Sequence, residues 1–493
     1  MKRILILFSI GFGLGVYGQN IHFLKTYGNS GYDYGRDIKQ TLDTGYIATG
    51  SSSSFSTGTA DAFLLKVDSL GNFKWSHSYG GLGSEWGEKV ILANDSSFAL
   101  AGYTNSFGEG GFDFYLVRTN IDGSPRWEKT YGGSDWDRAY SLVQLPDSGF
   151  VIVGETYSYG SGNLDAYIVR TDSLGDTLWT KTWGGAEDDM LKDVAFDGDS
   201  LIMVGYTESF GSGNKDGLIL KLGLDGGIGF EQYIGKGEED LFNSVIAKDT
   251  FYMIGGARSY NHFMDCDCGK DFWLYKIVNT GNEILADTTW TGEQLGTDII
   301  NDIVLNPNND MYYAGSTTSW GAVDVSAGNS DAFMNKVLNT YYTAFDYIRN
   351  FGEQYEDEVS GLDYCFDNGV VGIGTMKFNS TGGYNMFIVR VDQTNSWPSI
   401  DVTTDLTSEI ITLSTSEIEQ ETLEVYPTLV EDYLFISNLQ LNDEVSIFGM
   451  DGSVVYNGTE QEKELNLTFL ETGFYIIKLK SESGIYTAKF FKK

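Results

Sequence analysis

Cysteine, histidine and proline are nearly missing from this 493-residue chain, at 3, 3 and 5 residues. Cys266, Cys268 and Cys365 are too few for a disulfide scaffold, so stability has to come from packing. Cys266 and Cys268 flank Asp267 in a Cys-x-Cys pair with no histidine close enough to complete a zinc set; a local insertion with free or oxidised thiols explains the pair better. His22, His77 and His262 lie far apart and have no nucleophilic Ser or Cys context, and neither His-Glu-x-x-His nor a phosphate-binding glycine loop with Lys occurs. No catalytic residue is assigned on this evidence, and an enzyme is the weaker expectation. Positive charge is also scarce: 32 Lys and Arg face 69 Asp and Glu, a net charge of −37, which opposes nucleic acid and anionic membrane surfaces as partners. Beyond the N-terminus no apolar run reaches the roughly 18 residues of a membrane-spanning helix.

What the chain does have is glycine, 61 residues, with many Tyr, Phe, Ser and Thr, the composition of short β-strands joined by glycine turns. Residues 1–18 carry Lys2 and Arg3, an apolar run from Ile4 to Val16 and a small-residue end, the pattern of a signal peptide cut before about Gln19. No cysteine at the cut suggests a lipid anchor.

Three landmarks then recur in fixed order. An aromatic leading into glycine stands at Tyr27, Tyr79, Tyr131, Trp183, Tyr233, Trp290 and Phe351. A second glycine stands at Gly50, Gly102, Gly154, Gly205, Gly255, Gly315 and Gly374, and a basic residue at Lys66, Arg118, Arg170, Lys221, Lys276, Lys336 and Arg390. A period near fifty marks a propeller, solenoid or array, and the content of one unit chooses among them. In the third unit, Arg138–Leu145, Phe150–Gly154, Asp165–Asp172 and Thr177–Trp183 read as four strands separated by turns, which is one propeller blade. The sequence therefore predicts an all-β fold, a seven-bladed β-propeller of four-stranded blades over residues 19–392. Ile21–Tyr27 matches a fourth strand and the seventh unit lacks one, so the N-terminal strand is expected to complete blade seven. An outer-membrane barrel would show about ten residues of alternation per strand and no grouping in fours.

The Trp-x-x-x-Tyr-Gly-Gly, Asp-x-Gly-Phe-Val-Ile-Val-Gly and Asp-Ala-Tyr-Ile-Val-Arg stretches resemble the glycine-rich β-propeller repeats of secreted bacterial proteins, a likeness that implies a platform and no particular activity. Residues 393–423, rich in Ser, Thr and acids, read as a flexible linker. Residues 424–493 resemble the C-terminal sorting domain of type IX secretion (Por) cargo, through Val425-Tyr426-Pro427, Val445–Phe448, Asp451-Gly452, Thr472–Leu479 and the basic end Lys489–Lys493. Thr428-Leu429 stand where that family usually has Asn-Pro. The resemblance implies a small C-terminal β-sandwich, the type IX secretion machinery as partner, and an extracellular or outer cell-surface destination in a Bacteroidetes-type cell.

Two recurrent features of the longer loops are candidate binding groups, because loops on a rigid scaffold commonly carry function. One is an acidic ring, Asp33, Glu85, Asp137, Asp189, Asp240, Asp298 and Asp357, which could hold calcium or accept hydrogen bonds from a glycan; the alternative is that each residue caps its own turn. The other is a set of loop aromatics, Phe55, Phe107, Tyr159, Phe210, Tyr260, Trp320 and Phe378, which would stack sugars if exposed and wedge blades if buried. The Asp opening each third strand, at Asp61, Asp113, Asp165, Asp216, Asp271 and Asp331, becomes Asn385 in the last unit and reads as a turn residue. Asn261–Lys270 and Gly321–Asn329 lengthen loops of blades five and six. The expectation is a secreted or surface module binding glycan or protein, with a polysaccharide hydrolase or lyase, or a purely structural surface protein, as alternatives.

Overall fold

A computed structural model describes residues 23–391 and 425–493, apart from loop stretches of which 260–268, 319–329, 338–344 and 437–443 are among the longest. The expected signal peptide, the expected linker 393–423, Cys266, Cys268, His22 and His262 lie outside the described residues. Two compact units are present, one carrying the strands up to Val391 and the other those from Val425.

The first unit is a seven-bladed β-propeller in which every blade is a four-stranded antiparallel sheet. In blade three the strands are Asp137–Gln144, Phe150–Thr156, Asp165–Thr171 and Thr177–Trp183. Blade seven is closed as the spacing predicts: Phe23–Tyr27 pairs antiparallel with Tyr384–Val391, Tyr27 opposite Met386. The closure ties the first described strand of the ring to the last.

The alternation of the strands explains the packing. Second and third strands are buried along their whole length, as in Phe150–Thr156 and Asp165–Thr171, whereas the fourth strand alternates toward solvent. Apolar side chains therefore accumulate between blades. Ile47, Leu64, Leu100 and Tyr115 fill the junction of blades one and two; Tyr27, Ile38, Ile373 and Ile388 fill that of blades seven and one. Each buried aliphatic there contributes roughly 1.5–3 kcal/mol, so the core is a circle of inter-blade layers.

The landmarks prove to be joints of this circle. Tyr27, Tyr79 and Tyr131 donate their hydroxyls to the carbonyls of Gly71, Gly123 and Gly175 in the next blade, at 2.5–2.6 Å. The basic landmark holds the first turn of its own blade: Arg118 reaches Asp95 at 2.6 Å and the Phe98 carbonyl at 2.7 Å, and Arg390 bonds Asp367 and the Tyr46 hydroxyl of blade one. The second glycine faces a β-bulge in the first strand, where the carbonyl of the residue before the bulge fills the space of a Cβ; at Gly154 that atom would lie 1.9 Å from the Arg138 oxygen. One landmark shifts by one residue in each of blades five and four. Gly256, not Gly255, opposes Phe242 at the bulge, and Ile234, not Tyr233, takes the outer-strand position opposite Gly217. Tyr233 instead stacks on Phe210, ring centroids 5.4 Å apart.

The second unit consists of a three-stranded and a five-stranded sheet around Leu434, Val445, Ile447, Leu465, Ile477 and Leu479. Its central strands Glu444–Gly449, Gly473–Ser481 and Gly484–Lys492 run antiparallel. Among the described residues there is no helix, and so none long and apolar enough to cross a membrane.

Candidate functional site

The structure sets the acidic ring in the bases of the loops. Asp33, Glu85, Asp137, Asp189, Asp240, Asp298 and Asp357 are at most 1% exposed. Their oxygens are taken up locally. Asp33 accepts from Ser52 and Ser54 at 2.5 and 2.7 Å, Glu85 from Thr104 and the Gly81 amide, Asp137 from Ser158 and the Gly133 amide. Asp189 accepts from Thr207, Ser209 and the Gly185 amide, Asp240 from the Ser259 amide, Asp298 from Thr317, and Asp357 from the Lys377 amide. Each of the seven thus acts as a buried clamp that joins the start of a first strand to the end of the second. A buried carboxylate needs such donors to offset its desolvation. Among the described residues, no group of three or more His, Cys, Asp or Glu is placed to hold a metal ion.

The third-strand aspartates stand beside these clamps. A Cβ on Gly132 would lie 2.1 Å from Asp113 Oδ1 and 2.6 Å from Asp137 Oδ2, which is why glycine follows the landmark aromatic. Burial pushes Asp113 up to about 6, against the Glu109 amide that holds its carboxylate, and the neighbouring Asp137 adds to the rise.

Among the loop aromatics, Phe107, Tyr159 and Phe210 are 38–45% exposed, while Phe55, Tyr260, Trp320 and Phe378 lie outside the described residues. Phe107 and Phe210 lie against the incoming Gly81 and Gly185, and the Tyr159 hydroxyl donates to the Gly132 carbonyl at 2.6 Å. Each keeps part of its ring open to solvent.

A second set of side chains, absent from the sequence-based candidates, lines the channel. The first strands of neighbouring blades touch, and each carries the bulge described above. The bulged residue is Arg36, Glu88, Tyr140, Lys192, Asn243, Asn301 and Ser360 in blades one to seven, and all of them line one cavity of about 180 Å³. The next residue bolts first strands together. Asp37 accepts the Val90 amide, Asp193 the Val245 amide and the Ser141 hydroxyl, and Asp302 the Leu362 amide and the Ser244 hydroxyl. Lys89 stands half-buried among Asp37, Asp193, Asp302 and Asp363, and these carboxylates outweigh its desolvation and hold its ammonium protonated.

At the mouth the seven blades diverge. The residue after each clamp is Tyr34, Trp86 and Arg138 in blades one to three, Met190, Leu241 and Ile299 in blades four to six, and Glu358 in blade seven. On the first side the rings run without a break: Tyr384 to Tyr34 5.4 Å, Tyr34 to Trp86 5.3 Å, Trp86 to Tyr103 6.1 Å, Tyr103 to Phe112 5.3 Å and Phe112 to Trp136 5.7 Å between centroids. Arg36 lies 5.5 Å from the Trp86 centroid and Arg138 4.6 Å from that of Trp136. Carboxylates fix both guanidinium groups: Arg36 between Glu358 at 3.2 Å and Glu88 at 3.7 Å, Arg138 against Glu155 at 3.0 Å. Burial raises Glu88 above the usual carboxylate range, opposed chiefly by Arg36 and Lys192. The arc opens to solvent at Tyr32, whose centroid lies 6.1 Å from that of Tyr384 and which is 55% exposed, and at Trp136, 47% exposed.

The repeat hid this arc from sequence reasoning. The signal was there in inverted form, as the positions that change chemistry from blade to blade at a register where everything else repeats.

His77 lies on the outer strand of blade one with its ring nitrogen 3.1 Å from the Asp122 carbonyl. Cys365 is free and buried, its thiol pushed up to about 12 by burial.

Fold and tail together define a propeller bearing a secretion sorting signal. Residues 424–493 match the family described as the secretion system C-terminal sorting domain, which indicates type IX secretion, is consistent with an extracellular or cell-surface location, and implies contact with the type IX machinery. The chain is 30% identical over 178 residues to the regulatory protein FlaEY of Caulobacter vibrioides, an alignment of 31% of this chain that spans only 18% of that relative. Among solved structures, the Pan2 WD40 domain of Neurospora crassa is similar at 9% identity and TM-score 0.44, over 72% of this chain and 89% of that one. PorZ, a surface component of the type IX secretion system of Porphyromonas gingivalis, is similar at 11% identity and TM-score 0.32, over 92% and 69%.

Proposed function

We propose that this protein is a secreted or surface-held binding module that takes glycan on the aromatic arc at the mouth of the propeller channel. The carrying observation is the unbroken run of rings from Tyr384 to Trp136 with Arg36 and Arg138 set among them. Half-open aromatic faces stack on the apolar faces of sugar rings, and fixed guanidinium and carboxylate groups pair with their hydroxyls. Because the partners are held before binding, little side-chain entropy is lost. The tail supports delivery outside the cell, where glycans are abundant.

A glycan-array screen of the intact chain tests the reading, followed by Trp86→Ala and Trp136→Ala. Selective binding that both variants lose supports it; binding that neither changes moves the ligand elsewhere. A hydrolase or lyase is the weaker alternative, since Glu88, Glu155 and Glu358 are each spent on a guanidinium group of the arc.

A further inference from the structure

We propose that the pocket between blades seven and one holds a single neutral sugar ring, recognised by the Thr375 hydroxyl and Arg36; this deepens the glycan reading above and rests on it. The pocket has a volume of about 240 Å³ and is walled by Tyr34, Arg36, Glu356, Glu358, Thr375 and Tyr384. That is less than the roughly 300–1,000 Å³ of sites for drug-sized ligands, so it suits one ring and not a chain.

Two of its polar atoms are buried without a hydrogen-bond partner: Thr375 Oγ1 and Arg36 Nε. Thr375 is 3% exposed. Arg36 Nε is 3.7 Å from Glu88, too far for a hydrogen bond. Leaving such groups unsatisfied is costly, and a ligand hydroxyl that accepts from Arg36 or bonds Thr375 recovers that cost.

Blade-to-blade differences at one register open the space. The second-strand residue paired with the one after each clamp is Tyr103, Glu155 and Tyr206 in blades two to four and the smaller Ser51, Ala257, Ser316 and Thr375 in blades one, five, six and seven; of these four, Thr375 and its neighbour Tyr384 stand beside the Tyr34 ring of blade one.

The lining selects the ligand's charge. Glu356, Asp357 and Glu358 repel an anion. A cation finds the aromatic wall taken, because Lys377 Nζ already lies 5.1 Å from the Tyr384 centroid and Arg36 6.0 Å from that of Tyr34. A neutral polyol fits: donors from Arg36 and Thr375, an acceptor in Glu356, which also holds the Tyr384 hydroxyl at 3.2 Å, and an apolar wall in the nearly parallel rings of Tyr34 and Tyr384.

The test is ligand-observed NMR titration of the intact chain with neutral monosaccharides (galactose, glucose, mannose, N-acetylglucosamine) and with galacturonate as the anionic comparator. Neutral sugars are expected to bind and galacturonate to stay silent. Thr375→Val, which keeps the β-branched shape and removes the hydroxyl, is expected to weaken the neutral sugar about five- to tenfold. Thr375→Ser restores the hydroxyl and should keep the wild-type affinity, so a folding defect in the Val variant does not remove the test. Ser316→Val, at the same register in blade six, should change nothing. Equal affinity in wild type and Thr375→Val, binding of galacturonate as tight as that of neutral sugars, or glycan-array hits with no monosaccharide binding would each overturn this inference and leave the arc standing. Silence toward every glycan and monosaccharide would overturn both.

Discussion

Blades one to three and blades four to six share a backbone and differ at the channel mouth. At one register the first group offers Tyr34, Trp86 and Arg138, and the second offers Met190, Leu241 and Ile299. The same bulge, the same glycine opposite it and the same buried acidic clamp stand behind all six. What repeats therefore builds the ring, and what fails to repeat at a fixed place on it is available for binding.

Breaking the repeated part should have the largest effect. Gly154→Ala sets a methyl 1.9 Å from the Arg138 carbonyl, and denaturant unfolding should show a loss of about 3 kcal/mol or more. Asp137→Ala, which strands the Ser158 hydroxyl and the Gly133 amide, should cost about 2–4 kcal/mol in the same measurement. Both should act on stability whichever side of the ring they fall on.

The divergent part should respond the opposite way. Trp86→Ala should lower glycan affinity about tenfold with little change in stability, while Ile299→Ala across the channel should leave affinity within about twofold, as isothermal titration would read it.

These contrasts follow how the chain could be read. Spacing and composition carried the seven blades, their four strands and the closure by the N-terminal strand, because each is imposed by a landmark repeated seven times. They placed Gly255 and Tyr233 one residue from the true joints, since a neighbouring glycine in blade five and a neighbouring aromatic in blade four imitate the landmark. They could not tell an acidic ring from an acidic clamp: a buried carboxylate and an exposed one recur alike, and only the positions of Ser52, Thr104 and Thr207 decide between them. Tyr34, Trp86 and Arg138 went unnoticed for the reason that makes them informative, which is that they do not recur.

pH separates the same two layers. Burial pushes Asp113 and Asp363 up to about 6 in the folded chain. A carboxyl raised above its unfolded value of about 4 adds stability that is fully present below that value and is lost as pH rises through the folded one. Thermal unfolding at constant ionic strength should therefore show stability falling between about pH 4 and pH 6.5, with Asp113→Asn flattening the slope. At still lower pH the trend should reverse, because side-chain hydrogen bonds hold Asp95 and Asp197 well below the usual range. The smallest effect belongs to the turns. Ser148 sits at φ 67°, and Ser148→Asn should stabilise by about 0.5 kcal/mol in a denaturant midpoint.

The most direct test of the account is a glycan array probed in parallel with the intact wild-type chain and with a Trp86→Ala/Trp136→Ala double variant whose unfolding curve matches wild type. The account predicts selective hits for wild type that vanish in the variant; identical hit patterns for the two proteins would contradict it.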